Sequence, residues 1–275
     1  MMVINSSSNL NALSAPRNNA TQNSQTQASQ TIASLSSGQR INRAADDAAG
    51  SAIIERFAAQ IIGNSQGIRN LNDAVSLAQT AEGAISSISD NTQRIRELAV
   101  AAGNSTLSAS DRQALQAEAD QLSQSNTDII RNTEFNGQAI LQGGGFSFQA
   151  GANSNQQLNL NTSNLGGSNG LSSTGQINLS SISAASASLD SLDQDLQRIS
   201  AERSNLGAFQ SGLENSISSL RTTVENQSAS RSRIADTDFA AQSTQQVQNS
   251  IRGQAELAMQ AQANASGKQV LSLLR

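Results

Sequence analysis

Apolar side chains recur at alternating steps of three and four residues between positions 189 and 224. They are Leu189, Leu192, Leu196, Ile199, Leu206, Leu213, Ile217, Leu220 and Val224. Only Arg203 and Gln210 interrupt this register. About five heptads of this kind predict one rod-like coiled-coil helix. Pro16 is the one proline in 275 residues, so the sequence permits very long helices.

Two further stripes predict helices that can pack against this rod. The first runs from residue 68 to residue 99 and contains Ile68, Leu71, Val75, Ala78, Ile85, Ile88, Ile95 and Ala99. The second follows Ser108 and Asp111, which resemble a capping box. Its stripe is Leu115, Leu122 and Ile129. The predicted fold class is mainly α: a long coiled-coil helical rod in which three helices bury one another's stripes.

The segment 135–189 has no charged residue and a different pattern. Asn136-Gly137 is a turn signal, and apolar side chains alternate in two short stretches. Those alternating side chains are Phe146, Phe148, Leu158 and Leu160. The pattern predicts one or two β-hairpins followed by a loop rich in Ser, Asn and Gly. A disordered linker is the alternative.

The composition excludes most chemistry. The chain has no Cys and no His, which excludes a thiol nucleophile, a Ser/His/Asp triad and the usual zinc or haem ligands. We therefore expect no enzyme activity, no cofactor and no metal. Sixteen Arg and one Lys are scattered among 21 acidic residues, and aromatic residues make up 2%, so nucleic acid is not an expected partner.

The start of the sequence lacks the positive region and apolar core of a Sec signal peptide, and no apolar run approaches the ~20 residues of a membrane span. We therefore expect no membrane partner.

Between residues 14 and 31 the apolar side chains are few and small: Ala15, Pro16, Ala20 and Ala28. Near the other end Val247, Ile251, Ala258, Ala261 and Ala265 form a thin heptad seam. Because burial of so little apolar surface cannot offset the entropy of ordering, we hypothesise that both ends order together only when copies pack.

The stretch LSSGQRINRAADDAAGSAI, residues 35–53, sets two carboxylates beside each other among small residues. Asp46 and Asp47 could form an acid/base pair, bind a cation, or lie at a joint between two helices. The joint is the favoured interpretation, because Ser36, Ser37 and Gly38 interrupt one helix and a carboxylate near the first turn of the next stabilises it.

Four motifs resemble signatures of bacterial flagellin. LSSGQRINRAADDAAGSAI resembles the N-terminal signature, NTQRIRELAVAAGNST the next, and SRIADTDFAAQST with the final QVLSLLR the C-terminal ones. The resemblance covers about residues 3–135 and 185–275. It implies a short flagellin that polymerises into the filament used for swimming. The alternatives are a hook-filament junction protein and a non-flagellar coiled-coil scaffold; a carboxylate enzyme would need a catalytic insert.

The resemblance also implies a domain organisation. Residues 1–42 are an N-terminal inner-tube helix and joint, 43–134 the first helices of a rod domain, and 135–188 the hairpin and uncharged loop that stand in place of outer domains. Residues 189–234 are the C-terminal rod helix and 235–275 the C-terminal inner-tube helix.

Site residues follow from the same resemblance. Arg40, Arg43, Asp46 and Asp47 are expected to make ionic contacts between subunits at the joint. The residues expected to form an inter-subunit surface that the vertebrate innate receptor for flagellin also recognises are Gln93, Arg94, Glu97, Leu98 and Glu118. The aliphatic tail expected to bind an export chaperone and to join the core tube is Val270, Leu271, Leu273 and Leu274.

The implied partners are further copies of the chain, the export chaperone and export apparatus, and the filament cap and hook-junction proteins. The implied location is the extracellular filament, reached by flagellar export without a Sec signal.

Overall fold

The computed structural model describes residues 22–23, 25–166 and 170–273. The chain divides into two compact units. Unit 1 comprises Met1–Ala58 and Gln227–Arg275, and unit 2 comprises Ala59–Asn226.

Long helices dominate the described residues, which confirms the predicted fold class. The helices are α1 (25–37), α2 (Ala48–Ala102), α3 (Ala109–Asn132), α4 (Ile182–Ala235) and α5 (Phe239–Leu273). Four short strands lie between α3 and α4: β1 (Glu134–Phe135), β2 (Gln138–Ala139), β3 (Gln142–Gln149) and β4 (Gln157–Asn164). A 3-10 turn at Ser172–Thr174 follows β4. None of the helices, over the part of the chain that is described, is long and apolar enough to cross a membrane.

The helices of unit 2 bury the predicted stripes. On α2 the fully buried members are Leu71, Ala78, Ile85, Ile88, Ile95 and Ala99. Helix α3 begins as predicted: the Ser108 hydroxyl accepts the Asp111 N–H, and the Asp111 carboxylate accepts the Ser108 N–H. The predicted stripe of α3 is only half-buried, because its fully buried face is formed by Ala119, Ser123, Asn126 and Ile130.

Helix α4 differs from the prediction in two ways. It begins at Ile182 and not at Leu189, because the Ser181 hydroxyl accepts the Ala184 N–H and caps the first turn. Its buried seam also departs from the apolar register. Asp195 and Glu202 are buried where the register pointed to Leu196 and Arg203. Glu202 is buried where its carboxylate accepts the N–H and the hydroxyl hydrogen of Ser163 on β4.

A buried polar layer explains the burial of Asp195. It joins Thr92 on α2, Asn126 on α3, Ser173 in the 3-10 turn and Asp195 on α4. The Asp195 carboxylate accepts the N–H of Ser172 at 2.9 Å and that of Ser173 at 2.7 Å. The Thr92 hydroxyl donates to the Ser173 hydroxyl at 3.2 Å. The layer lies between one apolar cluster that contains Ile88, Leu171 and Ile199 and another that contains Ile95, Ile177 and Leu192.

Both hairpins are present, so the linker alternative is wrong for residues 135–166. The turn between β1 and β2 has positive φ at Asn136 (+52°) and Gly137 (+75°), as Asn-Gly turns of tight hairpins require. In the antiparallel pair β3·β4 the predicted side chains lie directly opposite each other. The pairs are Phe146 with Leu160 and Phe148 with Leu158.

Candidate functional site

A joint between α1 and α2 lies against the junction of α4 and α5 within unit 1. Helix α1 ends at residue 37, and Gly38 takes a φ of +69°, the left-handed conformation that commonly ends a helix. The Thr237 N–H donates to the Gly38 carbonyl at 3.0 Å, and Gln39 forms an antiparallel bridge with Asp236. The predicted interruption is therefore present, but it begins at Gly38, because Ser36 and Ser37 still belong to α1.

The two arginines of the joint have different surroundings. The Arg40 N–H donates to the Ala235 carbonyl at 2.6 Å, and the Arg40 guanidinium donates to the Ile234 carbonyl at 2.8 Å. Arg40 thereby holds residues 38–42 against the end of α4. The Arg43 side chain makes no hydrogen bond or ion pair to the described residues.

The adjacent carboxylates close turns of the backbone. Asp46 Oδ2 accepts the N–H of Asn42 at 3.1 Å and that of Arg43 at 2.9 Å. Asp47 Oδ1 accepts the Gly50 N–H at 2.8 Å and caps the first turn of α2. Of the three interpretations open for this pair, the helix joint is the one that these contacts match. Within the described residues, no group of three or more acidic side chains is arranged to hold a metal ion.

The second predicted surface lies on unit 2, where Arg94 links two helices. Its guanidinium donates to Glu118 Oε1 on α3 at 2.8 and 3.0 Å and to Glu97 Oε2 on its own helix at 2.8 Å. The hydrogen bond to Glu118 and then that to Glu97 raise the pKa of Arg94 above its ordinary value. Gln93 donates to the Ser89 hydroxyl at 3.2 Å. Arg94, Glu97, Glu118 and Gln93 are all exposed and form one polar surface.

Leu98 does not belong to that surface, which corrects the prediction. Its side chain is only 4% exposed and packs in an apolar cluster with Ile95, Ala119 and Leu192. The i,i+4 spacing from Arg94 suggested a shared face, but the helix turns Leu98 far enough inward for α3 and α4 to cover it. Leu98 therefore supports the surface from beneath.

Sequence patterns missed a second arginine that links helices. Arg96 Nε donates to Asp193 Oδ1 on α4 at 2.6 Å, and this contact lowers the pKa of Asp193 and raises that of Arg96. The spacing of 97 positions gives no local signal. Within the charged segment 93–97, Arg94 thus links α2 to α3 and Arg96 links α2 to α4.

Helix α5 has a polar inner side and an apolar outer side. The least exposed side chains recur at steps of three and four and are mostly polar: Gln242, Gln246, Asn249, Gly253, Glu256 and Gln260. Asn249 donates to the Thr31 hydroxyl of α1 at 3.3 Å. The large apolar side chains are instead 56% to 67% exposed: Phe239, Val247, Ile251, Leu257 and Met259. The thin seam predicted at Val247 and Ile251 is therefore exposed in the single chain.

The predicted tail lies at the end of α5. Val270, Leu271 and Leu273 belong to α5 by their backbone, but their side chains, like all of Leu274, lie outside the described part of the chain.

Long helices, a joint between helices and exposed large apolar side chains along the last helix define a structural protein whose terminal helices are suited to packing with other chains. Comparison with known proteins identifies the family. Residues 7–145 match the model described as the bacterial flagellin N-terminal helical region, and residues 189–274 match that of the C-terminal helical region.

Full-length relatives agree with this match. A flagellin of Halalkalibacterium halodurans is 40% identical over 276 residues, covering 100% of both chains. The flagellin of Bacillus subtilis is 37% identical and covers 88% of this chain and 90% of its own. A flagellar filament core protein of Brachyspira hyodysenteriae is 37% identical over 100% of both chains. The crystal structure of Bacillus cereus flagellin superposes with a TM-score of 0.50 at 29% identity, covering 55% of this chain and 88% of that one.

The chain belongs to the bacterial flagellin family. It is a short flagellin and a structural subunit of the flagellar filament, which is an extracellular assembly. The recognition and the functional class predicted from the four motifs are confirmed.

Proposed function

We propose that copies of this chain polymerise by burying the apolar outer side of α5 against neighbouring copies, and that the joint fixes how one copy seats on the next. The observation that carries the proposal is the exposure of Phe239, Val247, Ile251, Leu257 and Met259 along one 35-residue helix. A helix with its apolar side chains in water gains stability when another molecule covers them.

Seeded polymerisation tests the proposal. Dilute protein is first verified as monomeric by sedimentation, then mixed with short filament fragments and imaged by electron microscopy. Long uniform tubes are expected. Ile251→Asn should slow elongation strongly, whereas Ile62→Asn, at an exposed position in unit 2, serves as the matched control. A small oligomer that never elongates would favour a junction protein or a coiled-coil scaffold instead.

The role of the joint has its own test. We expect Asp47→Arg to impair polymerisation and leave monomer helicity near normal. Because Asp47 also caps α2, a second variant must distinguish the effect of losing the charge from the effect of losing the helix cap. Asp47→Asn keeps a capping side chain and removes the charge. If Asp47 makes an ionic contact between subunits, Asp47→Asn impairs polymerisation as well; normal elongation by Asp47→Asn would leave it only the capping role.

For the surface around Arg94 we propose recognition by the innate receptor for flagellin. The support is an exposed, fixed arrangement in which Arg94 holds both Glu97 and Glu118. In a reporter-cell assay with monomer, Arg94→Ala is expected to lower the signal, and Arg131→Ala, at an exposed arginine of α3, is expected to leave it unchanged. Equal signals from the wild type and Arg94→Ala would refute this role.

For the C-terminal tail we propose capture by the export chaperone before passage through the export apparatus. Four aliphatic residues at 270, 271, 273 and 274 would be poorly soluble if left bare. The double variant Leu271→Ser, Leu273→Ser is expected to reduce the amount of protein exported by living cells. Unchanged export, measured by immunoblot of the medium, would remove the proposal. The filament cap and the hook-junction proteins are proposed as the partners at the two ends of the polymer.

A further inference from the structure

Unit 1 contains a cleft in which positive charge is concentrated. It has a volume of about 800 Å³ and lies between α1, the joint and α5. Among the described residues, three guanidinium groups line it, those of Arg40, Arg43 and Arg252, together with one carboxylate, that of Asp46. The remaining lining residues are neutral, mostly Gln, Ser, Thr and Asn.

The charges of this cleft are not neutralised by the described residues of the chain. Arg40 donates to a backbone carbonyl, and Asp46 Oδ2 is taken up by two backbone N–H groups. The side chains of Arg43 and Arg252 make no hydrogen bond or ion pair to the described residues. Arg252 lies on α5, next in sequence to the exposed Ile251.

The two units of the chain carry opposite formal charge. Unit 1 has nine basic and six acidic residues, a formal charge of +3, whereas unit 2 has eight basic and 15 acidic residues, a formal charge of −7. Complementary charge on two surfaces steers their association and fixes which surfaces meet. A second copy of this chain therefore offers a partner of the right sign.

We propose that the arginine cleft of unit 1 receives an exposed carboxylate-bearing surface of unit 2 from a second copy. The inference rests on the proposed polymerisation and specifies one of its contacts. Arg252 and Arg43 supply positive charge that no described residue of their own chain pairs, and Arg40, which lies in the joint, adds a third guanidinium group.

Zero-length coupling tests the contact. Lys268 is the only lysine of the chain, so Arg252→Lys introduces one new amine with little background. A carbodiimide activates a carboxylate, the amine attacks it, an amide bond forms, and the carbodiimide leaves as a urea. The variant is mixed as a minor component into wild-type filaments, coupled, and digested for mass spectrometry. Dimer-sized products that join position 252 to a carboxylate within residues 59–226 are expected from filaments and not from dilute monomer.

The outcomes are distinct. Filaments in which position 252 couples only to carboxylates of unit 1, or to none, overturn the contact but leave polymerisation intact. Failure of the wild type to form filaments overturns the proposed function instead. Arg43→Lys repeats the measurement from the opposite side of the cleft, and wild-type filaments, whose only lysine is Lys268, report the background.

A kinetic measurement adds a second readout. Arg252→Glu is expected to slow elongation about tenfold at low salt, with a smaller difference at high salt, because steering by charge is screened. Arg56→Glu makes the same change of charge in unit 1 outside the cleft. Equal slowing by the two variants at all salt concentrations contradicts the proposal.

Discussion

Asp195 is a carboxylate at a position of α4 that is only 1% exposed. It is retained there because the 3-10 turn presents two N–H groups, those of Ser172 and Ser173, that need acceptors. An apolar side chain would leave both donors without this acceptor, and the buried Ser173 N–H alone would then cost about 1 to 3 kcal/mol. Burial nevertheless disfavours the charged form and raises the pKa of Asp195 despite these hydrogen bonds.

The raised pKa gives a signed prediction for Asp195→Asn. A group whose pKa is higher in the folded state stabilises the fold fully below its unfolded value, about 3.9 for Asp, and loses that contribution as the pH rises through the folded value. Asparagine does not titrate, so the variant lacks this pH-dependent contribution to stability. Its side chain has a single acceptor oxygen, so one of the N–H groups of Ser172 and Ser173 has no acceptor at any pH. We therefore expect Asp195→Asn to be less stable than the wild type at low pH, by about 1 to 3 kcal/mol, and the gap to narrow toward neutral pH. Urea unfolding of both proteins checks this, and a gap that widens as the pH rises contradicts it.

At the scale of elements, two glycines of α2 allow the β3·β4 hairpin to dock. A Cβ on Gly67 would lie 2.3 Å from the Ala150 carbonyl oxygen, and one on Gly63 would lie 2.6 Å from the Ala152 Cβ. Asn64 accepts the Ala152 N–H at 3.2 Å in the same contact. The helix backbone thus approaches the loop after β3 more closely than any side chain permits.

Two substitutions in this one helix should have opposite effects. Gly67→Ala collides with backbone that cannot retreat, so we expect a loss of about 1 to 3 kcal/mol in the free energy of unfolding. Gly83→Ala meets open space and has ordinary helical backbone, so it should gain about 0.5 to 1 kcal/mol from reduced entropy of the unfolded chain. Urea unfolding followed by circular dichroism measures both. If both substitutions changed the free energy of unfolding equally, the contact between Gly67 and the loop after β3 would not be tight.

Sequence patterns predicted the elements well, because their signals are local. The stripe of α2, the capping box at Ser108 and the turn at Asn136-Gly137 each depend on neighbours within a few residues. The contacts of Asp195 and of Arg96 could not be predicted, since their partners lie 22 and 97 positions away. The inward direction of Leu98 was missed for a related reason: which side of a polar helix is buried depends on the elements that cover it.

At the scale of the whole molecule, unit 1 and unit 2 bury different kinds of surface. Unit 2 has three apolar clusters built from its helices and hairpins. In unit 1, Asn249 of α5 donates to the Thr31 hydroxyl of α1, and the large apolar side chains of α5 remain exposed. Unit 2 therefore has an apolar core within one chain, whereas the described part of unit 1 leaves the large apolar side chains of α5 exposed.

The difference between the two units predicts which segments become protected from amide exchange when copies assemble. Amide hydrogen exchange of residues 14–31, only part of which lies within the described residues, and of α5 from residue 239 to residue 265 should be fast in dilute monomer. In filaments it should slow about 100-fold or more, equivalent to ~3 kcal/mol of added local stability. The buried stripe of α2 between Leu71 and Ala99 is the internal control, since its protection should change far less. Strong protection of residues 14–31 in the monomer would mean that the polar pairing of α1 with α5 suffices without neighbours.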